Sequence, residues 1–159
     1  MPGSASFADL VSLAPTLADA GLHAELWTDC KALPEIAARL SELPIPVVID
    51  HMGGFDATKG IDDPGFRSLL SLVEGGKAWV KLCDSRNLIA VKEFELCRPF
   101  HEALRLSNPE RLVWGTDCSH WRATPPPDTP KLLDAVKRWT GSDALVSQIL
   151  EANPARLYE

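Results

Sequence analysis

Four times along the chain, a short run of strand-forming residues is followed by an amphipathic helical stripe. That alternation constrains the fold more than any bulk property, because parallel strands need a long crossover, usually a helix, to bring the chain back across the sheet. HAELWTD (23–29) leads to Leu33, Ile36, Ala37, Leu40 and Leu43, spaced as one face of a helix. IPVVIDH (45–51) leads through a Gly/Asp-rich loop to Asp63-Pro64 and the stripe Phe66, Leu69, Leu70 and Val73, which Gly75-Gly76 stops. AWVKLC (78–83) precedes a helix entered through Pro99, carrying Phe100, Ala103, Leu104 and Leu106 and broken at Asn108-Pro109. RLVWGTD (111–117) leads through a proline-rich loop to Thr129-Pro130 and the stripe Leu132, Leu133, Val136 and Trp139.

Two further helices frame these units. One starts after Ser6 with Phe7, Leu10, Val11, Ala14, Leu17 and Ala18 and stops near Gly21, with Pro15 as its weak point. The other runs from about Asp143 to Ala152 and ends at Asn153-Pro154. The pattern predicts one α/β unit over residues 1–159, a parallel sheet covered by helices.

Composition narrows the function classes. The 22 carboxylates outnumber 16 Lys plus Arg, giving a net charge of −6 and no basic block, so neither nucleic acid nor a membrane surface is an expected partner. No apolar run approaches the roughly 18 residues of a membrane span, and MPGSASFADL lacks the features of a signal peptide. A cytoplasmic setting is expected. Cys30, Cys83, Cys97 and Cys118 show no paired spacing and are read as thiols.

The strand ends carry the chemistry. Asp29, Asp50-His51, Cys83-Asp84 and Asp117 all follow a strand, and in parallel α/β folds ligands bind at the carboxyl ends of the strands. An Asp after a strand often serves only as a turn former or helix cap. His51 and Asp117 go beyond that role, because each follows a strand interior expected to be buried. A neutral imidazole can bind a metal or polarise a carbonyl, and a carboxylate can ligate the same metal or take a proton from water. His120 is close enough in sequence to reach the same rim, whereas His23 and His101 are expected to be solvated. His101-Glu102 does not make H-E-x-x-H, and Gly53-Gly54 is too little for a phosphate loop.

PVVIDHMGG, then WVKLC, then PERLVWGTD with a nearby His, and the terminal NPARLY, in that order, resemble the C-terminal half of the amidohydrolase-related barrels. The similarity is greatest to the branch of pyrone dicarboxylate lactonase, which also includes sugar lactonases and decarboxylases. The resemblance implies half of a (β/α)8 TIM barrel, four parallel strands corresponding to the fifth through eighth. It implies a hydrolase acting on a lactone or related carboxylated cyclic ester. The alternatives are a metal-dependent decarboxylase and a catalytically inert half-barrel assembly module.

By the same resemblance, Asp117 is the group that activates water and His51 the histidine after the sixth strand. Arg86 lies one place out of register with the family's substrate-carboxylate arginine, and Arg122 is a second candidate anchor. Asp117-Cys118-Ser119-His120 stands where the family has D-W-P-H, keeping the outer two residues. As cofactor, a divalent metal such as zinc or manganese fits His51 and Asp117, while the lactonase-like reading needs none. The family's H-x-H pair is absent from the sequence, and a complete barrel takes about 250 residues. The isolated chain is therefore expected to be inactive and to bind metal weakly. A half-barrel is also expected to form a homodimer, since HAELWTD and RLVWGTD become open edges and Val47, Ile49, Val80, Leu82 and Val113 are expected on an uncovered interior.

Overall fold

The computed structural model describes residues 5–83, 91–118 and 127–159, and the side chains of 91–93 lie outside that description. Its four strands are β1 (Ala24–Leu26), β2 (Val47–Ile49), β3 (Trp79–Leu82) and β4 (Leu112–Trp114). All pair in parallel in the order β1-β2-β3-β4, with Val48 opposite Trp79 and Lys81 opposite Val113. Each strand lies where the sequence places it.

The helices are α1 (Phe7–Asp19), α2 (Leu33–Ser41), α3 (Pro64–Glu74), α4 (Arg98–Ser107), α5 (Thr129–Thr140), α6 (Asp143–Ser147) and α7 (Asn153–Tyr158). The starts of α1, α3 and α5 are fixed by side-chain caps from Ser6, Asp63 and Asp128. At α1 the cap is reciprocal: Asp9 N–H donates to Ser6 Oγ at 3.2 Å and Ser6 N–H to Asp9 Oδ2 at 2.7 Å. With that anchor, α1 continues through Pro15.

Strand order that follows chain order, without a reversal, is the winding of a barrel rather than of a doubly wound sheet. The two faces confirm it. Val47, Ile49, Val80, Leu82 and Leu112 pack into one core with Leu33, Leu40, Phe66, Leu69 and Phe100 from the helices. Val48, Trp79 and Val113 form a separate cluster on the other face, which Leu157 of α7 covers. The expectation of an uncovered apolar interior is thus corrected for Val47, Ile49, Val80 and Leu82, which are buried beneath the helices. Strand residues alternate between faces, and the inward set contains the charged Glu25 and Lys81.

The C-terminal segment differs from expectation. Instead of stopping at Asn153-Pro154, the helix widens into a π-turn over Gln148–Ala152 and resumes as α7. Pro154 then sits in the first turn of α7, where its missing N–H leaves no bond unmade. Asn153 is buried and its Nδ2 donates to the carbonyls of Pro109 (2.8 Å) and Leu112 (2.6 Å), tying the segment to the start of β4. From there α7 reaches the inner face, where Arg156 and Arg111 each place a guanidinium about 5 Å from the Trp79 ring centroid.

Two histidines are less exposed than expected. His101 is fully buried in α4, with Nε2 3.2 Å from Thr140 Oγ1 and its ring edge-on to Trp139. His23 is half-buried edge-on to Tyr158. Both contacts are with residues distant in sequence, so local pattern carries no sign of them. Among the described residues no helix is long and apolar enough to cross a membrane.

Candidate active site

The carboxyl ends of β2, β3 and β4 open onto a cavity of about 340 Å³, lined by Glu25, Asp50, His51, Lys81, Cys83 and Asp117 together with Gly115, Thr116 and Cys118. Its histidine arrives through an unusual turn. After β2 the chain passes through four consecutive positive φ angles, at His51 (52°), Met52 (52°), Gly53 (71°) and Gly54 (57°). For the two glycines this is ordinary, but for His51 and Met52 the conformation is strained and needs support from packing. Met52 is fully buried. A Cβ on Gly53 would come within 3.0 Å of Cys30 Sγ and 3.1 Å of Leu69, so the turn lies tightly on the segment after β1.

The second acidic tip repeats the device. Gly115 N–H donates to Leu82 O at 3.1 Å, extending the ladder beyond β4. Two residues later Asp117 also takes a left-handed φ, 54°. The side-chain donor atoms of His51, Cys83 and Asp117 come within 4.8 Å of one another, with Cys83 buried and the other two half-buried.

Below this cluster Lys81 bridges two carboxylates. Its Nζ lies 2.8 Å from Glu25 Oε1 and 2.9 Å from Asp50 Oδ1. Burial alone would lower the ammonium pKa, but the hydrogen bonds and charges of Glu25 and Asp50 outweigh it and hold the pKa above its ordinary value. Lys81 stays charged. Tyr158 sits near the same triad, and its phenol is held up by burial.

The structure brings together His51 and Asp117, as the sequence predicts. Asp50 is half-buried beside them, engaged by Lys81. Asp29 takes the more ordinary role, capping the turn that follows β1 by accepting Lys31 N–H at 2.8 Å. Arg86, His120 and Arg122, with Asp84, lie outside the described residues. Sequence reasoning missed Lys81, Glu25 and the participation of Cys83 in the cluster. The signal was present in AWVKLC: Trp79, Lys81 and Cys83 alternate with Val80 and Leu82, and a strict period of two separates the faces.

The model of one protein family, amidohydrolase, matches residues 2–159. The chain belongs to the amidohydrolase family. Among curated amidohydrolase relatives, 4-sulfomuconolactone hydrolase of Hydrogenophaga intermedia is 34% identical over 134 residues, covering 80% of this chain and 43% of the relative. The 2-pyrone-4,6-dicarboxylate hydrolase of Comamonas testosteroni is 30% identical over 161 residues, covering 94% and 53%. Among solved structures, a probable 2-pyrone-4,6-dicarboxylic acid hydrolase of Acinetobacter baumannii with citric acid bound superimposes with a TM-score of 0.82 at 25% identity, over 94% of this chain and 57% of that one. The chain therefore spans about half the length of the curated relatives it matches, and its four strands make half of an amidohydrolase TIM barrel.

Proposed function

We propose that this chain is the C-terminal half of a barrel hydrolase that opens a lactone bearing an anionic ring substituent. One observation carries the reading: His51 and Asp117 share a rim at the carboxyl ends of their strands, on a cavity large enough for a small ring. Asp117 takes a proton from water as its oxygen adds to the lactone carbonyl carbon. His51 donates a hydrogen bond to the carbonyl oxygen, where charge develops. The bond from the carbonyl carbon to the ring oxygen then breaks, and that oxygen leaves with a proton.

The anionic substituent is supported by the relatives, whose named substrates carry sulfonate or carboxylate groups, and by the citric acid in the Acinetobacter baumannii protein. Lys81 lines the cavity, but Glu25 and Asp50 already offset its charge. The anchor for the substrate anion is therefore assigned to Arg86 or Arg122, whose planar guanidinium suits a carboxylate.

A second reading, an inert assembly module, is favoured by the absence of any H-x-H in the sequence. We propose also that the half-barrel associates with a second copy, because β1 and β4 each pair on one side only and Trp27, just beyond β1, is 49% exposed.

Lactone hydrolysis separates the two readings. Carboxylated, sulfonated and neutral lactones are offered to the purified chain and to the same chain joined behind the first half of the Comamonas testosteroni relative. The hydrolase reading expects turnover of the anionic lactones in the joined protein. Turnover confined to neutral lactones contradicts the substrate class, and none with any lactone favours the inert module.

A further inference from the structure

The alternation along β3 brings to the rim a thiol, Cys83, that the proposed hydrolysis does not use. We propose that His51, Cys83 and Asp117 form a three-donor site for a zinc-class divalent cation, complete within this half of the barrel. The inference rests on the hydrolase reading for its chemical purpose, while its test reads binding alone.

The geometry is close to what such an ion needs. Tetrahedral zinc, with ligands at about 2.0–2.3 Å, sets its donor atoms about 3.3–3.8 Å apart. The three donors here already lie within 4.8 Å of one another, so side-chain rotation of about 1 Å closes the shell. Each donor follows a different strand, and β2, β3 and β4 are hydrogen-bonded neighbours. The site is thereby carried on the rigid part of the fold.

The donor types choose the metal. Magnesium, calcium and manganese favour oxygen ligands, whereas one imidazole, one thiolate and one carboxylate suit zinc and its cobalt surrogate. The surroundings also favour a cation, since the cavity adds two carboxylates, Glu25 and Asp50, against one ammonium, Lys81. Binding displaces the Cys83 thiol proton, so affinity rises with pH. Three protein ligands leave a fourth position facing the cavity, the arrangement of catalytic rather than structural zinc. An ion there would polarise a carbonyl or acidify a bound water.

The site differs from the expectation of weak binding, which counted only His51 and Asp117. Cys83 supplies the third donor within the chain, with no H-x-H required.

Cobalt(II) titrated into the purified chain tests the proposal, with absorption as the readout and zinc as competitor. The expected result is one ion per chain and a thiolate-to-cobalt charge-transfer band that zinc bleaches. Cys83→Ser should abolish the band and weaken binding at least about tenfold. His51→Ala should weaken binding similarly while keeping the band. Cys118→Ser should change neither. Absence of the band in the unaltered chain at stoichiometric cobalt overturns the proposal, as does a band that survives Cys83→Ser and disappears in Cys118→Ser. Turnover of anionic lactones by the joined protein without any cobalt–thiolate band sinks this site and spares the hydrolase reading, whereas the band without turnover does the reverse.

Discussion

The side-chain donor atoms of His51 and Asp117 lie within 4.8 Å of each other, and both residues hold the left-handed backbone conformation, φ 52° and 54°. Two non-glycine residues strained in the same way on one rim point to a shared task. Such a conformation costs on the order of 1–3 kcal/mol and persists only where the surroundings enforce it.

Relief of that strain gives the first prediction. Glycine adopts positive φ freely but adds flexibility to the unfolded chain. His51→Gly should therefore leave stability unchanged or raise it by about 1 kcal/mol, while removing the imidazole from the rim. Urea unfolding measures this, and a loss above about 1 kcal/mol would show that the side chain is structural.

A tight approach elsewhere gives the opposite effect. Gly65, in the first turn of α3, lies against the turn after β1: a Cβ there would sit 2.1 Å from the carbonyl oxygen of Cys30. Backbone cannot swing aside as a side chain can. Gly65→Ala should destabilise the fold by about 3 kcal/mol or more, read as a lowered unfolding midpoint. A change below about 1 kcal/mol would mean that α3 and the turn separate readily.

Alkaline pH weakens the fold through Cys30. Burial, with the nearby charges of Asp63 and Asp29, pushes its thiol from 9.0 up to about 12. In the unfolded chain the thiol ionises first, so between those values the unfolded state binds fewer protons and stability falls as pH rises. The contribution is intact below pH 9 and disappears towards pH 12. Cys30→Ala should flatten the stability profile in this window, and an unchanged slope would exclude Cys30 as the cause. Lys81, whose pKa is also raised, keeps its ion pairs throughout the neutral range.

The open edges predict association. Sedimentation of the chain at micromolar concentration should show a dimer. A single species near 17.4 kDa would contradict the proposed pairing of β1 or β4 with a second copy.

The sequence makes the architecture legible because its signals are local. IPVVIDH reads as a buried strand and Leu33 to Leu43 as a helical stripe from a few adjacent residues. The rim positions of His51 and Asp117 follow from strand polarity alone. What depends on tertiary partners is hidden. The burial of His101 needs Thr140 and Trp139 from α5, and Asn153 becomes a tie rather than a stop only because the carbonyls of Pro109 and Leu112 meet it. The inward direction of Lys81 and Cys83 was obscured because near-continuous apolar strands such as VVI show no preferred face.

The account stands most directly on Asp117 as the group that takes the proton from water. The decisive measurement is the rate of anionic-lactone hydrolysis by the joined barrel with Asp117 and with Asp117→Asn, which preserves shape while removing the base. A fall of about 100-fold or more with little change in KM is the predicted result. Near-equal rates for the two proteins would contradict the assignment and the hydrolase reading built on it.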